Sequence, residues 1–437
     1  MYQNTLYNKL FLMSSRLTER FPRLGAWLLN LIFLGLLGNQ FFIDNCLARD
    51  IERLNNTNEF KRILIIGDMN IGDAVNLQAS ISALRGVFPD AEIHYMIKRI
   101  AACIIDGNPD ISALLPVFTG APYPNENDFQ SIKQIVMTNH YNVIFNFCPF
   151  IKDNLFPPQQ PVINCLALAL IILRNAKDKT TNNHVAYQSY EFISKLLSSL
   201  FDIENKQIFK GVDLTLSDGA IRRALNFLRN NGLPRPTSLI LLNPDTSSPF
   251  TRIPFQIQVS LLKQIIELPC VALLGSSHTS KRIQSNLLNT MPLSQRNKII
   301  IVPPSMPLDA YAALVDVSNV FITGDTGLLH IAAARKVSKH KDYQFRNKTA
   351  ILSIFGATPA RIYGYDSALP GYMSANQEAP SHAYVAASPC RNITCINKMA
   401  KTCKIVRCFQ SLDIGRIMRD IKSFLSVAHH HGTTGLY

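Results

Sequence analysis

Residues 62–73, Arg-Ile-Leu-Ile-Ile-Gly-Asp-Met-Asn-Ile-Gly-Asp, constrain this chain more than any other stretch. An apolar run of β type enters a turn holding Gly67 and Gly72. Leu77, Ile81, Leu84 and Phe88 then recur at helical spacing, which predicts a helix over 74–88. A strand feeding a helix in this way opens a doubly wound α/β unit. Asp73, at the helix start, has two readings. It is an N-cap that accepts the free N–H groups of the first turn, or a base held at the carboxyl edge of a sheet, where open α/β folds place their ligands. Two familiar phosphate loops are excluded. Gly67 and Gly72 have P-loop spacing, but Asp73-Ala74 stands where Lys-Ser/Thr is required, and G-x-G-x-x-G is missing.

The alternation continues along the chain. After the strand over 63–66 and its helix come a strand over 92–97, a short segment over 100–106, a strand over 142–147, a helix over 162–174 and a helix over 187–200. Periodicity lapses over 202–211, where charged and polar residues gather. A second series follows. Its helices are a basic amphipathic one over 221–229 and others over 257–267, 308–315 and 328–334; its strands cover 238–242, 271–274, 299–302, 320–323 and 350–355. The pattern predicts two successive doubly wound domains, over 59–207 and 208–428, with a ligand cleft between them, an N-terminal extension over 1–58 and a short tail over 429–437.

Two loops of the second half carry candidate chemistry. After the 238–242 strand comes Asn-Pro-Asp-Thr-Ser-Ser-Pro-Phe-Thr-Arg-Ile-Pro over 243–254, rich in hydroxyls from Thr246, Ser247 and Ser248 and ending in Arg252. After the 320–323 strand comes Gly324-Asp325-Thr326-Gly327-Leu328-Leu329-His330, an Asp-Thr between glycines that opens a helix. The backbone N–H groups of Thr326 and Gly327 can bind a phosphate with help from the helix dipole, and an arginine opposite completes a clamp. Taken singly, Asp325 reads as an N-cap, the 246–248 hydroxyls as a turn, Arg252 as a solvated surface residue and His330 as a packing residue.

The chain has 437 residues, 47% of them hydrophobic, enough for two real cores. Its formal net charge of +14 implies an anionic partner. No zinc-finger spacing, RNA-recognition signature or dense basic run accompanies that charge, so nucleic acid is the weakest partner class. Lys9, Arg16, Arg20 and Arg23 lead into a nearly unbroken apolar run over 24–37. That composition suits an interfacial membrane anchor or a helix packed on the protein's own core. Cys46, Cys103, Cys148, Cys165 and Cys270 read as buried small hydrophobes. Cys390, Cys395, Cys403 and Cys408, spaced C-x4-C-x7-C-x4-C, read as a metal or disulfide staple or as a cysteine-rich surface loop.

Taken together, Ile-Gly-Asp73, the Asn-Pro-x-x-Ser-Ser-Pro that starts at Asn243, Leu-Leu-Gly275, Gly-Asp-Thr-Gly-Leu-x-His from Gly324 and Ile-Phe-Gly-Ala-Thr-Pro359 resemble the family 9 glycosyltransferases, best known for the lipopolysaccharide heptosyltransferases. Phe-Pro-Asp-Ala-Glu over 88–92 and Gly-Asn-Pro-Asp over 107–110 extend the similarity across roughly residues 60–415. The resemblance implies a GT-B architecture of two facing Rossmann-like domains, acceptor on the first and nucleotide sugar on the second. It implies that Asp73 is the general base, that Asp325, Thr326, Gly327 and Leu328 with Gly324 form the donor loop, and that Thr246, Ser247 and Ser248 serve the phosphates. It also implies a nucleotide-sugar substrate such as ADP-heptose, no separate cofactor or metal, an anionic glycolipid acceptor, and a cytoplasmic protein peripheral on the inner face of the bacterial inner membrane. Lys98 and Arg99 are acceptor candidates by charge and position. Two departures stand out: Thr251 replaces a lysine common in the family, so that either Arg252 carries that charge or the site is weakened, and Ser277 or its neighbours replace an acidic residue at the ribose. A related epimerase or a binding protein without turnover would share the fold.

Overall fold

The computed structural model describes residues 40–57, 59–67, 70–119, 124–148, 151, 153–177, 184–198, 211–212, 214–233, 238–246, 252–275, 278–288, 291–337, 349–356, 358–365, 381–385 and 407–430. They fall into two compact units, the first ending at Val212.

Unit 1 holds helix α1 (Gln40–Asn55), β1 (Arg62–Ile66), α2 (Ile71–Val87), β2 (Glu92–Lys98), α3 (Arg99–Ile105), β3 (Ala113–Phe118), α4 (Glu126–Asn139), β4 (Val143–Asn146), β5 (Val162–Asn164), α5 (Leu166–Lys177) and α6 (Val185–Ser198). Its five strands form a parallel sheet in the order β3-β2-β1-β4-β5. Ile63 to Ile66 are fully buried, as a central parallel strand covered on both faces requires. Each such side chain contributes roughly 1.5–3 kcal/mol of burial. Helix α2 lies along α6, where Ser80 Oγ donates to the Ser189 carbonyl at 2.9 Å. Helix α1 packs on α5 and β5, buries Ile43, Cys46 and Leu54, and donates from Arg53 Nη1 to the Val162 carbonyl at 2.6 Å.

Unit 2 holds α7 (Asp218–Asn230), β6 (Leu239–Leu242), α8 (Phe255–Ile265), β7 (Val271–Leu274), α9 (His278–Leu288), α10 (Leu293–Arg296), β8 (Ile299–Ile301), α11 (Leu308–Val317), β9 (Val320–Thr323), α12 (Gly327–Val337), β10 (Ala350–Phe355), α13 (Ala360–Tyr363), β11 (Ser381–Val385) and α14 (Ile414–His430). The six strands are parallel in the order β11-β10-β9-β6-β7-β8. Both sheets therefore reverse direction beside their first strand, at β1/β4 and at β6/β9. Such switch points open a crevice at the carboxyl ends of the strands. Beneath the sheet, Arg335 and Asp316, each 2% exposed, pair at 2.8 Å.

Several sequence expectations change. The segment predicted as one helix over 162–174 begins as strand β5, and the helix starts only at Leu166. Strands β3 and β11 and helices α4 and α14 were not predicted. Cys103 is exposed rather than buried, while Cys46, Cys148, Cys165, Cys270 and Cys408 are buried free thiols. Cys390, Cys395, Cys403 and the apolar run over 24–37 lie outside the described residues. Among the described residues no helix is long and apolar enough to cross a membrane, and no cluster of three or more His, Cys, Asp or Glu side chains could hold a metal ion.

Candidate functional site

In unit 1 the carboxyl end of β1 passes through Gly67 to α2. The N-cap of α2 is Asn70, with extended backbone, and Asp73 is the third residue of the helix. The N-cap reading of Asp73 is therefore corrected: it sits inside the first turn, where a carboxylate is favoured by the helix dipole. Asn70 Nδ2 approaches Asp73 Oδ2 at 3.4 Å, a long and weak contact. Asp73 is exposed to solvent, yet enough protein surrounds it that desolvation raises its pKa; the Asn70 side chain, the Asn70 backbone and the charge of Lys98 pull the other way. Exposure screens that shift. The direction suits a base, because a carboxylate nearer neutrality accepts a proton more readily.

Around this carboxyl edge the loops are tied down. Asn146 Nδ2 donates to Asn164 Oδ1 at 2.9 Å and to the Ile151 carbonyl at 3.2 Å, and Asn146 Oδ1 accepts from Cys148 N at 3.0 Å. At the opposite, amino edge, before β3, Gly107, in the left-handed region at φ 87°, opens the Asn-Pro-Asp turn, in which Asp110 N donates to Asn108 Oδ1 at 2.8 Å and Asn108 Nδ2 to Gln78 Oε1 at 2.6 Å. Lys98 ends β2 just past a register shift, a device that re-aims a side chain at a strand end. Arg99 opens α3 and donates from Nε to the Pro116 carbonyl at 3.2 Å.

In unit 2 the switch point is bridged directly. Asn243, at the end of β6, donates from Nδ2 to Thr323 Oγ1 of β9 at 3.1 Å and to the Asp245 carbonyl at 3.0 Å. Gln258 supports the same loop, donating to the carbonyls of Pro244 at 2.9 Å and Ile253 at 2.6 Å. Thr246 is buried in it; Ser247, Ser248 and Thr251 lie outside the described residues. Arg252 is exposed and pairs through Nε with Asp245 Oδ1 at 3.0 Å, the same oxygen that accepts from Thr279 Oγ1 at 2.8 Å. Its guanidinium is thus held in one place, with part of its charge already answered.

Across the switch point the Gly324–Leu328 turn follows β9. Thr326 is the residue before α12, and its hydroxyl accepts from Leu328 N at 2.9 Å. Thr326, not Asp325, is therefore the N-cap. The backbone N–H groups of Thr326 and Gly327 carry no hydrogen bond among the described residues, so two donors stand at the positive end of an 11-residue helix. His330 is buried, bonded through Nδ1 to the Tyr365 hydroxyl at 2.9 Å and pushed by burial down to about 4. It is neutral near pH 7 and serves packing. At the end of β7, Gly275 has no room for a side chain: a methyl there would overlap the Tyr311 hydroxyl and stand 3.1 Å from Asn243 Oδ1. That hydroxyl is buried without a hydrogen-bond partner among the described residues. Asp245, Thr279, Gln258 and Tyr311 were not singled out from sequence, where nothing separates them from ordinary loop and core residues.

The family model described as glycosyltransferase family 9 (heptosyltransferase) matches residues 168–398, more than half of the chain. The chain belongs to glycosyltransferase family 9. The match contains both loops of the β6/β9 switch point and begins after Asp73. Among solved structures, the family 9 glycosyltransferase of Veillonella parvula DSM 2008 is 15% identical, with a TM-score of 0.61 over 84% of this chain and 98% of that one. The E. coli ADP-heptose lps heptosyltransferase II is 14% identical, with a TM-score of 0.58 over 85% of this chain and 100% of that one. At such identities the likeness shows the fold, a GT-B pair of Rossmann-like units. No curated protein matches the chain. Family membership makes this protein a glycosyltransferase, and the unit 2 turn lies inside the region that defines the family.

Proposed function

We propose that this family 9 enzyme transfers heptose from ADP-heptose to the sugar core of an anionic, lipopolysaccharide-type glycolipid, with inversion and without a metal ion. The observation that carries the reading is the exposed Asp73 carboxylate, raised in pKa at the carboxyl edge of β1. An acceptor hydroxyl attacks the anomeric carbon from the face opposite the diphosphate and gives its proton to Asp73. The bond from that carbon to the phosphate oxygen breaks, and ADP leaves with the electron pair. Stabilising the leaving diphosphate falls to the N–H groups of Thr326 and Gly327 and to Arg252, which Asp245 orients, with Thr246, Ser247 and Ser248 supplying hydroxyls. Metal independence is supported by these donors and by a sequence without an Asp-x-Asp pair. The net charge of +14 and the apolar run over 24–37 support an anionic lipid-linked acceptor met at the inner face of a membrane, with Lys98 and Arg99 the basic candidates on unit 1.

The test is donor binding by thermal shift, with ADP-heptose and UDP-sugars, alongside transfer to a heptose-acceptor glycolipid. Asp73→Ala is expected to bind ADP-heptose like the unaltered protein while turnover falls by about 10²–10⁴; Asp325→Ala is expected to bind it poorly. Turnover by Asp73→Ala at the unaltered rate would remove the base from the scheme, and binding with no turnover in any variant would favour a donor-binding protein.

A further inference from the structure

Tyr95 of β2 is fully buried, and among the described residues its hydroxyl has no hydrogen-bond partner. An orphan phenol in a sheet core is costly, because its O–H is stripped of water without compensation. Phenylalanine would fill the same space without that cost. The position of the hydroxyl is specific. It lies, with Leu77 Cδ2, against Gly67: a Cβ at residue 67 would stand 3.1 Å from the Tyr95 hydroxyl and 3.0 Å from Leu77 Cδ2. Leu77 is one helical turn beyond Asp73 on the same face of α2, and helix side chains lean toward the N-terminus, so the Leu77 side chain covers the ground below Asp73. The hydroxyl therefore sits at the strand end from which the chain climbs to Asp73. The Asp73 charge also reaches Tyr95, where, after burial, it is the second cause holding the phenol protonated. A group kept as O–H in this way retains a hydrogen to donate.

We propose that Tyr95 is a positioning residue for Asp73, its buried hydroxyl donating a hydrogen bond to the Asp73 carboxylate once the acceptor is seated. This rests on the reading of Asp73 as the base. Tyr95 keeps its proton throughout; the proton from the acceptor goes to the carboxylate, and the bond from Tyr95 fixes which carboxylate oxygen faces the substrate. Of the ionisable groups on elements packed against α2, Lys98 at the end of β2 reaches Asp73. Arg99 and Cys103 of α3, and Tyr187, Tyr190 and the Glu191–Lys195 ion pair of α6, do not enter its balance among the described residues.

The experiment compares Tyr95→Phe and Asp73→Asn with the unaltered full-length protein, using ADP-heptose and a heptose-acceptor glycolipid. Tyr95→Phe is expected to lower kcat about tenfold with KM for both substrates little changed, since a hydrogen bond to a charged group is lost only in the bound state. Without that donor the carboxylate is harder to ionise in the complex, so the acid limb of kcat moves to higher pH while that of kcat/KM, which reports the free enzyme, stays in place. Thermal stability should hold or rise. Unaltered kcat and pH limb beside an inactive Asp73→Asn would overturn the role of Tyr95 and leave the base standing; full activity in Asp73→Asn would overturn the base itself. A fall in kcat with no movement of the kcat limb would mark a packing role and also overturn the proposal. Should Tyr95→Phe melt early, Gly67→Ala displaces the same hydroxyl and must move the kcat limb in the same direction; an unmoved limb there overturns it too.

Discussion

Replacing Gly275 by alanine probes the floor of the unit 2 site. The backbone at this point cannot slide away, because Gly275 N is bonded to the Leu242 carbonyl at 2.9 Å and continues the β6–β7 ladder. The added methyl meets the Tyr311 hydroxyl, and Tyr311 is only 7% exposed on a helix packed against α7. Asn243 Oδ1, 3.1 Å away, cannot yield freely either, since its amide is bonded to Thr323 and to the Asp245 carbonyl. Overpacking of this kind costs about 1–3 kcal/mol. For a unit of this size that corresponds to a fall in Tm of roughly 2–12 °C, followed by far-ultraviolet circular dichroism. Tyr311→Phe alone removes a buried hydroxyl that has no partner among the described residues and should be neutral or stabilising. The double variant should return close to the Tm of Tyr311→Phe, a coupling of about 1–3 kcal/mol. Gly275→Ala melting with the unaltered protein, or a loss that Tyr311→Phe leaves in place, would refute the clash. Because Asn243 forms the bridge of the switch point, the proposed function predicts that the single variant also weakens the thermal shift expected with ADP-heptose and that the double variant recovers it.

Two further outcomes are expected. Asp316→Asn removes the carboxylate that faces the Arg335 guanidinium, which is 2% exposed, and should cost about 3–5 kcal/mol by melting, whereas Asp316→Leu with Arg335→Met should regain most of it. His330 titrates near 4 in the folded protein against about 6.5 unfolded, so the unfolded chain binds the extra proton between those values; stability is full above pH 6.5 and falls, by about 3 kcal/mol at most, as pH drops toward 4. Denaturation midpoints for His330→Gln should be flatter across that window, and an equal slope in both proteins would refute it.

What was legible in the sequence follows the physics of each element. The runs that became β1, β6, β9 and β10 are buried on both faces along nearly their whole length, so they stand out as apolar stretches broken only by Arg62 and Thr323 at their ends and by Ser353. Strand β3 was hidden by Pro116, which an edge strand tolerates and a central one does not. Strand β5 has three residues and leads almost at once into an apolar helix, so its period was lost in that of its neighbour. Helix α4 did leave a signal: Asn125 and Asp128 form a capping box, with Asp128 N donating to Asn125 Oδ1 at 3.0 Å and Asn125 N to Asp128 Oδ2 at 2.9 Å. The Gly324–Leu328 turn was readable because Gly-Asp-Thr-Gly is local. Which oxygen capped the helix was not, since Asp and Thr are both good caps and only the geometry assigns the role to Thr326. Tyr95 and Tyr311 were not readable at all. In sequence a buried phenol looks like a packing ring, and only the lack of a hydrogen-bond partner for its oxygen among the described residues says otherwise.

The seating of α1 on α5 and β5, through Ile43, Cys46 and Leu54 and the Arg53 bond to the Val162 carbonyl, decides where the leading segment can be cut. A truncation meant to ask what the first residues do at a lipid surface has to stop short of Gln40. Cutting at residue 50 would pull a staple out of unit 1, and the lost activity would be blamed on the wrong end of the molecule.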